Sequence, residues 1–304
     1  MKSCPICDGP GERRSRIGDH WLLRCGGCGF VYADSTDQEI EEVNFQYGES
    51  AEQHYADVQG GIDTLWFDRI STSLTRGRDG LKVLDIGCGN GMLLRQFQKR
   101  GCTCFGSDPS PWARVCAERY GYTLLPLIEE ADIEPGFFDV ITSTSALEHI
   151  ARPLDHVRRV MEILKPGGVA YFTIPNYGSL PIRLHLVKGR LVNPPGHCNY
   201  FTARTFRNLF LRTDLSDQVA SVRVRSYGIP EIHAVYQRVT RRQTKAAKGT
   251  PGKPSRRLWC KKALVGVYYW SGTPFGLGDK LEAHVWKRPA GSNGSESGVA
   301  KSAP

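Results

Sequence analysis

The chain alternates between short apolar runs and amphipathic stretches over residues 80–175. Apolar runs of strand length lie at residues 83–86, 102–107, 138–143 and 169–174. Before the last run, apolar side chains recur at helical spacing: Leu154, Val157, Val160, Met161 and Leu164. Strands that alternate with helices in this order predict an α/β fold with a doubly wound, mostly parallel sheet.

The flanking segments extend this pattern in both directions. Residues 62–74 are predicted to be helical, and residues 219–226 and 281–286 are predicted to be the last two strands. Residues 290–304 consist largely of Gly, Ser and Ala. Because such a segment cannot bury apolar surface, we predict a disordered tail there.

The first of these strands runs into a turn that has glycine at every second position. This turn consists of Gly87, Cys88, Gly89, Asn90 and Gly91. Alternate glycines allow a sharp change from strand to helix and let a ligand lie against bare backbone. The turn therefore indicates a site for a nucleotide-like molecule, and the alternative is an ordinary glycine-rich loop.

The residues around the glycines indicate which kind of nucleotide would bind. A dinucleotide-binding turn requires a small residue at the position of Met92. Asp85 lies two residues before the first glycine, where a carboxylate suits a cationic ligand better than a diphosphate. Asp108 ends the next strand and is placed to hold the two hydroxyls of a ribose. The alternative for Asp108 is a turn aspartate before Pro109.

Four motifs together resemble those of the class I S-adenosylmethionine-dependent methyltransferases. They are LDIGCGNG, the acid Asp108, FFDVITSTSALEHI and LKPGG, and the resemblance covers roughly residues 80–290. It implies a seven-stranded, Rossmann-like methyltransferase fold whose last two strands form an antiparallel hairpin at the sheet edge. S-adenosylmethionine is the cofactor that the resemblance implies.

The resemblance also implies a role for each part of the cofactor site. The glycine turn and its preceding carboxylate would face the methionine part, and the acid after the strand at 102–107 would hold the ribose. Two residues that follow a further short strand, before the strand at 138–143, would border the adenine. In chain order, these residues are Asp85, Gly87, Cys88, Gly89, Asn90, Gly91, Asp108, Leu127 and Ile128.

Two histidines are candidates for the catalytic base. The sulfonium of the cofactor is already an activated methyl donor, so the enzyme chiefly aligns an acceptor and removes its proton. His149 follows the strand at residues 138–143, and His197 lies in a Pro- and Gly-containing loop. An imidazole titrates near neutrality and suits this role. The alternatives are that His149 only lines the cofactor pocket and that His197 only anchors its loop.

Two Cys-x-x-Cys pairs at the start of the chain predict a metal site. They are Cys4 with Cys7 and Cys25 with Cys28. Four thiolates at this spacing bind zinc tetrahedrally and leave no open position for water, so the metal would be structural. The glycines near Cys28 and a predicted strand at residues 29–32 favour a zinc ribbon. A redox dithiol and an iron–sulfur cluster are the alternatives.

The formal net charge of +9 is concentrated in one part of the chain. Residues 241–256 are predicted to be a flexible basic insertion, and residues 263–270 are apolar and aromatic. Together they predict either peripheral membrane contact or, as we favour, a helix that covers the sheet. The apolar run is too short to span a membrane, and no N-terminal signal segment is evident, so a cytoplasmic protein is expected.

These observations predict a methyltransferase with a small-molecule acceptor. A hydroxyl of a sugar, glycan precursor or phenolic natural product is the expected acceptor, as in the bacterial enzymes of this type that the chain resembles. The alternatives are an RNA methyltransferase that uses the ribbon to bind RNA, and a non-catalytic cofactor-binding scaffold. We predict a ribbon at residues 1–34, a helical connecting region at 35–79, a catalytic domain at 80–289 and the tail.

Overall fold

Two β-sheets and the helices around them make up the computed structural model, which describes residues 2–49, 63–183, 191–228, 276 and 278–291. The strands are β1 Gly11–Ile17, β2 His20–Cys25, β3 Val31–Ala33, β4 Lys82–Ile86, β5 Thr103–Ser107, β6 Thr123–Leu125, β7 Phe138–Thr144, β8 Leu164–Pro175, β9 Asn199–Tyr200, β10 Val219–Tyr227 and β11 Lys280–Lys287. The helices are α1 Asp37–Glu49, α2 Asp63–Thr75, α3 Met92–Gln98, α4 Pro111–Tyr120, α5 Pro153–Ile163, α6 Leu180–Arg183 and α7 Ala203–Leu211.

The larger sheet has seven strands in the order β10-β11-β8-β7-β4-β5-β6. Strands β4 to β8 pair in parallel, whereas β11 pairs antiparallel with both β8 and β10. This topology confirms the predicted doubly wound sheet and its antiparallel hairpin. The carboxyl ends of β4, β5 and β7 consequently lie side by side at one edge, with Asp85 in register with Gly106 and Thr142.

Local sequence signals determine where the helices begin and end. Helix α4 begins at Pro111, and the Ser110 side chain accepts a hydrogen bond from the backbone N–H of Ala113, as a capping serine does. Helix α5 ends at Ile163, one residue earlier than predicted. Leu164 has an extended backbone and begins β8, because the following Lys165-Pro166 pair disfavours further helix.

The smaller sheet joins the N-terminal module to the larger domain. Its order is β1-β2-β3-β9, and β9 comes from a loop that follows α6. Val31 pairs with Tyr200, and the rings of Phe30 and Phe201 lie 4.7 Å apart between centroids. The module and the domain therefore share a sheet and part of one hydrophobic core. A domain boundary at residue 34 stays a prediction.

Several predicted segments lie outside the described residues. These are the basic insertion at 241–256, the apolar segment at 263–270 and residues 292–304 of the tail. Within the described part of the chain, no helix is both long enough and apolar enough to cross a membrane.

Candidate functional site

The glycine turn after β4 is packed too tightly for side chains at two of its positions. Gly87, Gly89 and Gly91 have φ angles of 72°, 48° and 68°, in the left-handed region that favours glycine. A Cβ atom on Gly87 would lie 2.9 Å from the Cβ of Ala146, and one on Gly91 would lie 2.5 Å from the Tyr122 ring. The turn is thus held between the loop after β7 and the residues that precede β6.

Asp108 connects this turn to the loop that follows β5 through two hydrogen bonds. Its Oδ2 accepts a hydrogen bond of 2.8 Å from the Gly89 N–H, and its Oδ1 accepts one of 2.9 Å from the Ser110 N–H. The side chain is half-buried. Each oxygen keeps a second lone pair, so the carboxylate remains able to accept hydrogen bonds from a ligand at the sheet edge.

Asp85, near the carboxyl end of β4, is buried. The side chain is 2% exposed, and its Oδ1 accepts a hydrogen bond of 2.7 Å from Thr142 Oγ1. Burial raises the pKa of the Asp85 carboxyl to about 7; the Thr142 hydrogen bond opposes this rise and the charge of Asp108 adds to it. Thr142 was not predicted from the sequence, because it lies in register with Asp85 only once β7 pairs with β4.

The remaining predicted cofactor residues have differing surroundings. Asn90 Oδ1 accepts a hydrogen bond from the Met92 N–H and so stabilises the start of α3. Cys88 is buried, and burial raises the pKa of its thiol well above the usual value. Leu127 has an exposed side chain, whereas Ile128 is 1% exposed and packs in the core. Of Leu127 and Ile128, only Leu127 therefore has a side chain that a ligand could contact at the surface.

The two candidate histidines lie together. The rings of His149 and His197 are 4.8 Å apart between centroids, at an angle of 77°. His149 Nδ1 is 2.7 Å from the Gly196 carbonyl oxygen, and His197 Nδ1 is 3.1 Å from that of Leu191. Because a carbonyl can only accept, each Nδ1 carries the proton and each Nε2 is left with a lone pair.

Both imidazoles are neutral near pH 7. Burial lowers the pKa of His149 to about 4, with a further lowering from the adjacent His197 and an opposing contribution from the Gly196 carbonyl. Burial also lowers the pKa of His197, against an opposing contribution from the Leu191 carbonyl. A neutral imidazole can accept a proton or donate its lone pair to a metal ion.

Glu148 is a candidate site residue that was not predicted from the sequence. Its side chain is 1% exposed, and Oε2 has no hydrogen-bond partner among the described residues. Burial raises the pKa of this carboxyl to about 7. Potential ligand atoms of Glu148, His149 and His197 all lie within 4.8 Å of one another. The available signal was the Glu-His pair shortly after β7.

Hydrogen bonds to backbone carbonyls hold the His197 loop against the turn that carries Glu148 and His149. The Cys198 N–H donates to the Glu148 carbonyl at 2.9 Å. Asn199 Nδ2 donates to the carbonyls of Leu147 and Ile150 at 3.1 and 2.6 Å. The same loop continues into β9, so the N-terminal sheet supports it from the other side.

The four N-terminal cysteines converge, as their spacing predicts. The Sγ atoms of Cys4 and Cys28 are 3.6 Å apart, those of Cys7 and Cys25 are 3.4 Å apart, and all four lie within 4.8 Å of one another as free thiols. Tetrahedral Zn²⁺ with bonds of about 2.3 Å needs sulfur atoms about 3.8 Å apart. The donor set and its spacing therefore fit a zinc ion.

Each cysteine pair lies in a tight turn of the same kind. The N–H of Asp8 donates to the Cys4 carbonyl, and the N–H of Gly29 donates to the Cys25 carbonyl. Both residues after the second cysteine have positive φ, 55° and 74°. The two turns present their thiols to a common centre.

Comparisons with known proteins agree on one family. The sequence profile described as "Methyltransferase domain" matches residues 57–218. The ubiquinone biosynthesis O-methyltransferase of Roseobacter denitrificans is 37% identical over 97 residues, which are 30% of this chain and 39% of that protein. The protein of the same name from Acinetobacter baylyi is 32% identical over 120 residues, 36% of this chain and 49% of that protein. The match thus spans less than half the length of these relatives.

Solved structures share the fold. The 1,6-didemethyltoxoflavin-N1-methyltransferase of Burkholderia thailandensis has a TM-score of 0.50 and 13% identity, with 91% of this chain and 99% of that chain covered. The plantazolicin methyltransferase BpumL, solved with S-adenosylhomocysteine, has a TM-score of 0.50 and 15% identity, with 83% and 98% covered. At these identities the likeness concerns the fold alone.

Proposed function

The chain belongs to the methyltransferase-domain family, of the class I S-adenosylmethionine-dependent type, and from this premise we propose that it methylates a hydroxyl oxygen of a small-molecule acceptor. The observation that carries the proposal is the meeting of the glycine turn, Asp85 and Asp108 at one edge of the sheet. The names of the relatives, which are O-methyltransferases of ubiquinone biosynthesis, support oxygen as the acceptor atom. A sugar, glycan precursor or phenol is the expected class.

Under this proposal the sheet edge supplies the contacts to each part of the cofactor. Asp85 attracts the ammonium of the methionine part, and Gly87, Gly89 and Gly91 give room for it against the backbone. Asp108 accepts hydrogen bonds from the ribose hydroxyls in addition to its two backbone donors. The exposed Leu127 side chain borders the adenine, and Ile128 supports it from the core.

When bound, S-adenosylmethionine would supply an activated methyl group. The acceptor oxygen would bond to the methyl carbon as the carbon–sulfur bond breaks, and the electron pair of that bond would stay on sulfur in S-adenosylhomocysteine. The acceptor also loses a proton. His149 and His197 are neutral and adjacent, which supports a role for this pair in handling that proton or in holding the acceptor.

A structural zinc ion belongs to the same proposal. Cys4, Cys7, Cys25 and Cys28 would bind it, and the convergence of their sulfur atoms supports this. Because all four ligands are protein thiolates, the ion would stabilise the small sheet and take no part in the chemistry.

The proposed function predicts that cofactor affinity depends on pH through Asp85. Because the pKa of this carboxyl is raised to about 7, it is mostly protonated below that pH and cannot attract an ammonium. We expect binding of S-adenosylmethionine, measured by calorimetry, to weaken by up to about tenfold per pH unit below pH 7 and to level off above it.

Two controls make this experiment specific. The Asp85→Asn variant should bind weakly at every pH, and 5′-methylthioadenosine, which lacks the amino-acid part, should bind the wild-type protein independently of pH. A pH-independent affinity for S-adenosylmethionine would contradict the role of Asp85. Absence of saturable binding at any pH, in folded protein, would contradict the proposed function itself.

A further inference from the structure

Glu148, His149 and His197 form a second group of potential metal ligands, far in sequence from the cysteines. Glu148 and His149 lie in the short turn after β7, and His197 lies in the loop before β9. Their potential ligand atoms lie within 4.8 Å of one another. Two imidazoles and one carboxylate are a donor set typical of catalytic metal sites that keep an open coordination position.

The histidines are oriented as metal ligands are. Each Nδ1–H donates to a backbone carbonyl, Gly196 for His149 and Leu191 for His197. Metal-binding histidines almost always donate their other ring N–H in this way, because the hydrogen bond fixes the tautomer and the ring orientation. Among the described residues, no hydrogen bond occupies the Nε2 of either ring.

The carboxylate of Glu148 is an independent indication of a missing partner. A buried carboxylate oxygen without a hydrogen bond is costly, and buried charges in proteins are normally paired or bound to metal. Glu148 is 1% exposed, and its Oε2 has no partner in the described part of the chain. A cation between this oxygen and the two imidazoles would satisfy it.

We propose that Glu148, His149 and His197 bind one divalent transition-metal ion such as Zn²⁺. Bonds of about 2.1 Å in tetrahedral geometry place ligand atoms about 3.4 Å apart, so the side chains must move closer together on binding. The three ligands leave a coordination position for water or an acceptor oxygen. The hydrogen bonds of Cys198 and Asn199 keep the two ligand-bearing segments in place.

The metal site also indicates which class of acceptor binds, an inference that rests on the proposed function. The turn with these ligands follows Ala146, which lies directly against Gly87 of the glycine turn. A hydroxyl bound to the ion would therefore be close to the cofactor, and the metal would lower its pKa so that the proton leaves to water. An acceptor with two adjacent oxygens, a catechol or vicinal diol, would chelate the ion and raise its coordination number from four to five.

Metal content measured by mass spectrometry tests the binding step. Protein dialysed with Zn²⁺ should hold two ions per chain, and Glu148→Gln and His197→Ala should each hold one. His284→Ala, which removes a half-buried histidine outside the group, is the matched control and should keep two. A wild-type protein that holds one ion, or variants that keep two, would overturn the proposal.

Cobalt spectroscopy separates the two sites and tests the acceptor class. In Co²⁺-loaded protein, the cysteine site gives thiolate charge-transfer bands, and the second site should give weaker visible bands that His197→Ala removes. Catechol should shift those weaker bands and phenol should not; no shift with catechol would overturn the acceptor assignment. S-adenosylhomocysteine should bind wild type and His197→Ala alike. Its failure to bind wild type would count against the proposed function, not against the metal site.

Discussion

Gly91→Ala should destabilise the protein by about 2–5 kcal/mol and weaken S-adenosylhomocysteine binding about tenfold or more. Two costs combine in this substitution. The residue has a φ of 68°, which costs a non-glycine residue about 1–2 kcal/mol. The new Cβ would also lie 2.5 Å from the buried Tyr122 ring, so the turn must move away from its position. Denaturant unfolding and calorimetry would measure both effects.

Gly121→Ala is the matched control for this prediction. Gly121 has nearly the same φ, 69°, but a Cβ there meets nothing within 4 Å. Only the backbone cost of about 1–2 kcal/mol should remain, with cofactor affinity unchanged. If Gly91→Ala were no more destabilising than Gly121→Ala and bound S-adenosylhomocysteine normally, the tight turn would not be required for cofactor binding.

Cys25→Ser should remove the zinc ion of the N-terminal module and lower the stability of the whole protein. A ligand present at about a thousandfold its dissociation constant stabilises the folded state by about 4 kcal/mol, and a loss of at least this size is expected. The effect should extend beyond the module, because β3 pairs with β9 and the Ala33 N–H donates to the Cys198 carbonyl. Amide hydrogen exchange of residues 197–200 should therefore accelerate.

Cys102→Ser controls for the chemical change from thiol to hydroxyl. Cys102 is also buried but lies in the core beside α3, away from the two N-terminal Cys-x-x-Cys pairs. Cys102→Ser should lower the free energy of unfolding by about 1–2 kcal/mol, keep the zinc ion and leave amide hydrogen exchange at residues 197–200 unchanged. Equal stability loss in the two variants, with zinc retained in both, would contradict a metal role for Cys25.

Local patterns were sufficient to predict the larger sheet and the cysteine turns. The alternation of apolar runs, the glycines after β4 and the two Cys-x-x-Cys pairs are all visible within short windows of sequence, because each depends on neighbouring residues. The same holds for Ser110 and Pro111 at the start of α4. These features needed no knowledge of the tertiary structure.

Other features depend on contacts between distant segments and were not predicted. Strand β9 is two residues long, too short for a periodic pattern, and exists because β3 offers it a partner. The unpartnered Oε2 of Glu148 and the contact of its backbone carbonyl with the Cys198 N–H both depend on tertiary packing of segments far apart in sequence. The N-terminal module thus supports the candidate active-site loop, a role that its cysteine spacing alone did not indicate.

Calorimetric titration of the zinc-loaded protein with S-adenosylmethionine, S-adenosylhomocysteine and NAD tests the central claim most directly. The two adenosyl ligands should bind saturably, NAD should not bind, and Asp108→Ala should lose the binding, because Asp108 holds the glycine turn and is the residue proposed to bind the ribose. Folded wild-type protein that bound neither adenosyl ligand, or that bound NAD in their place, would contradict the account.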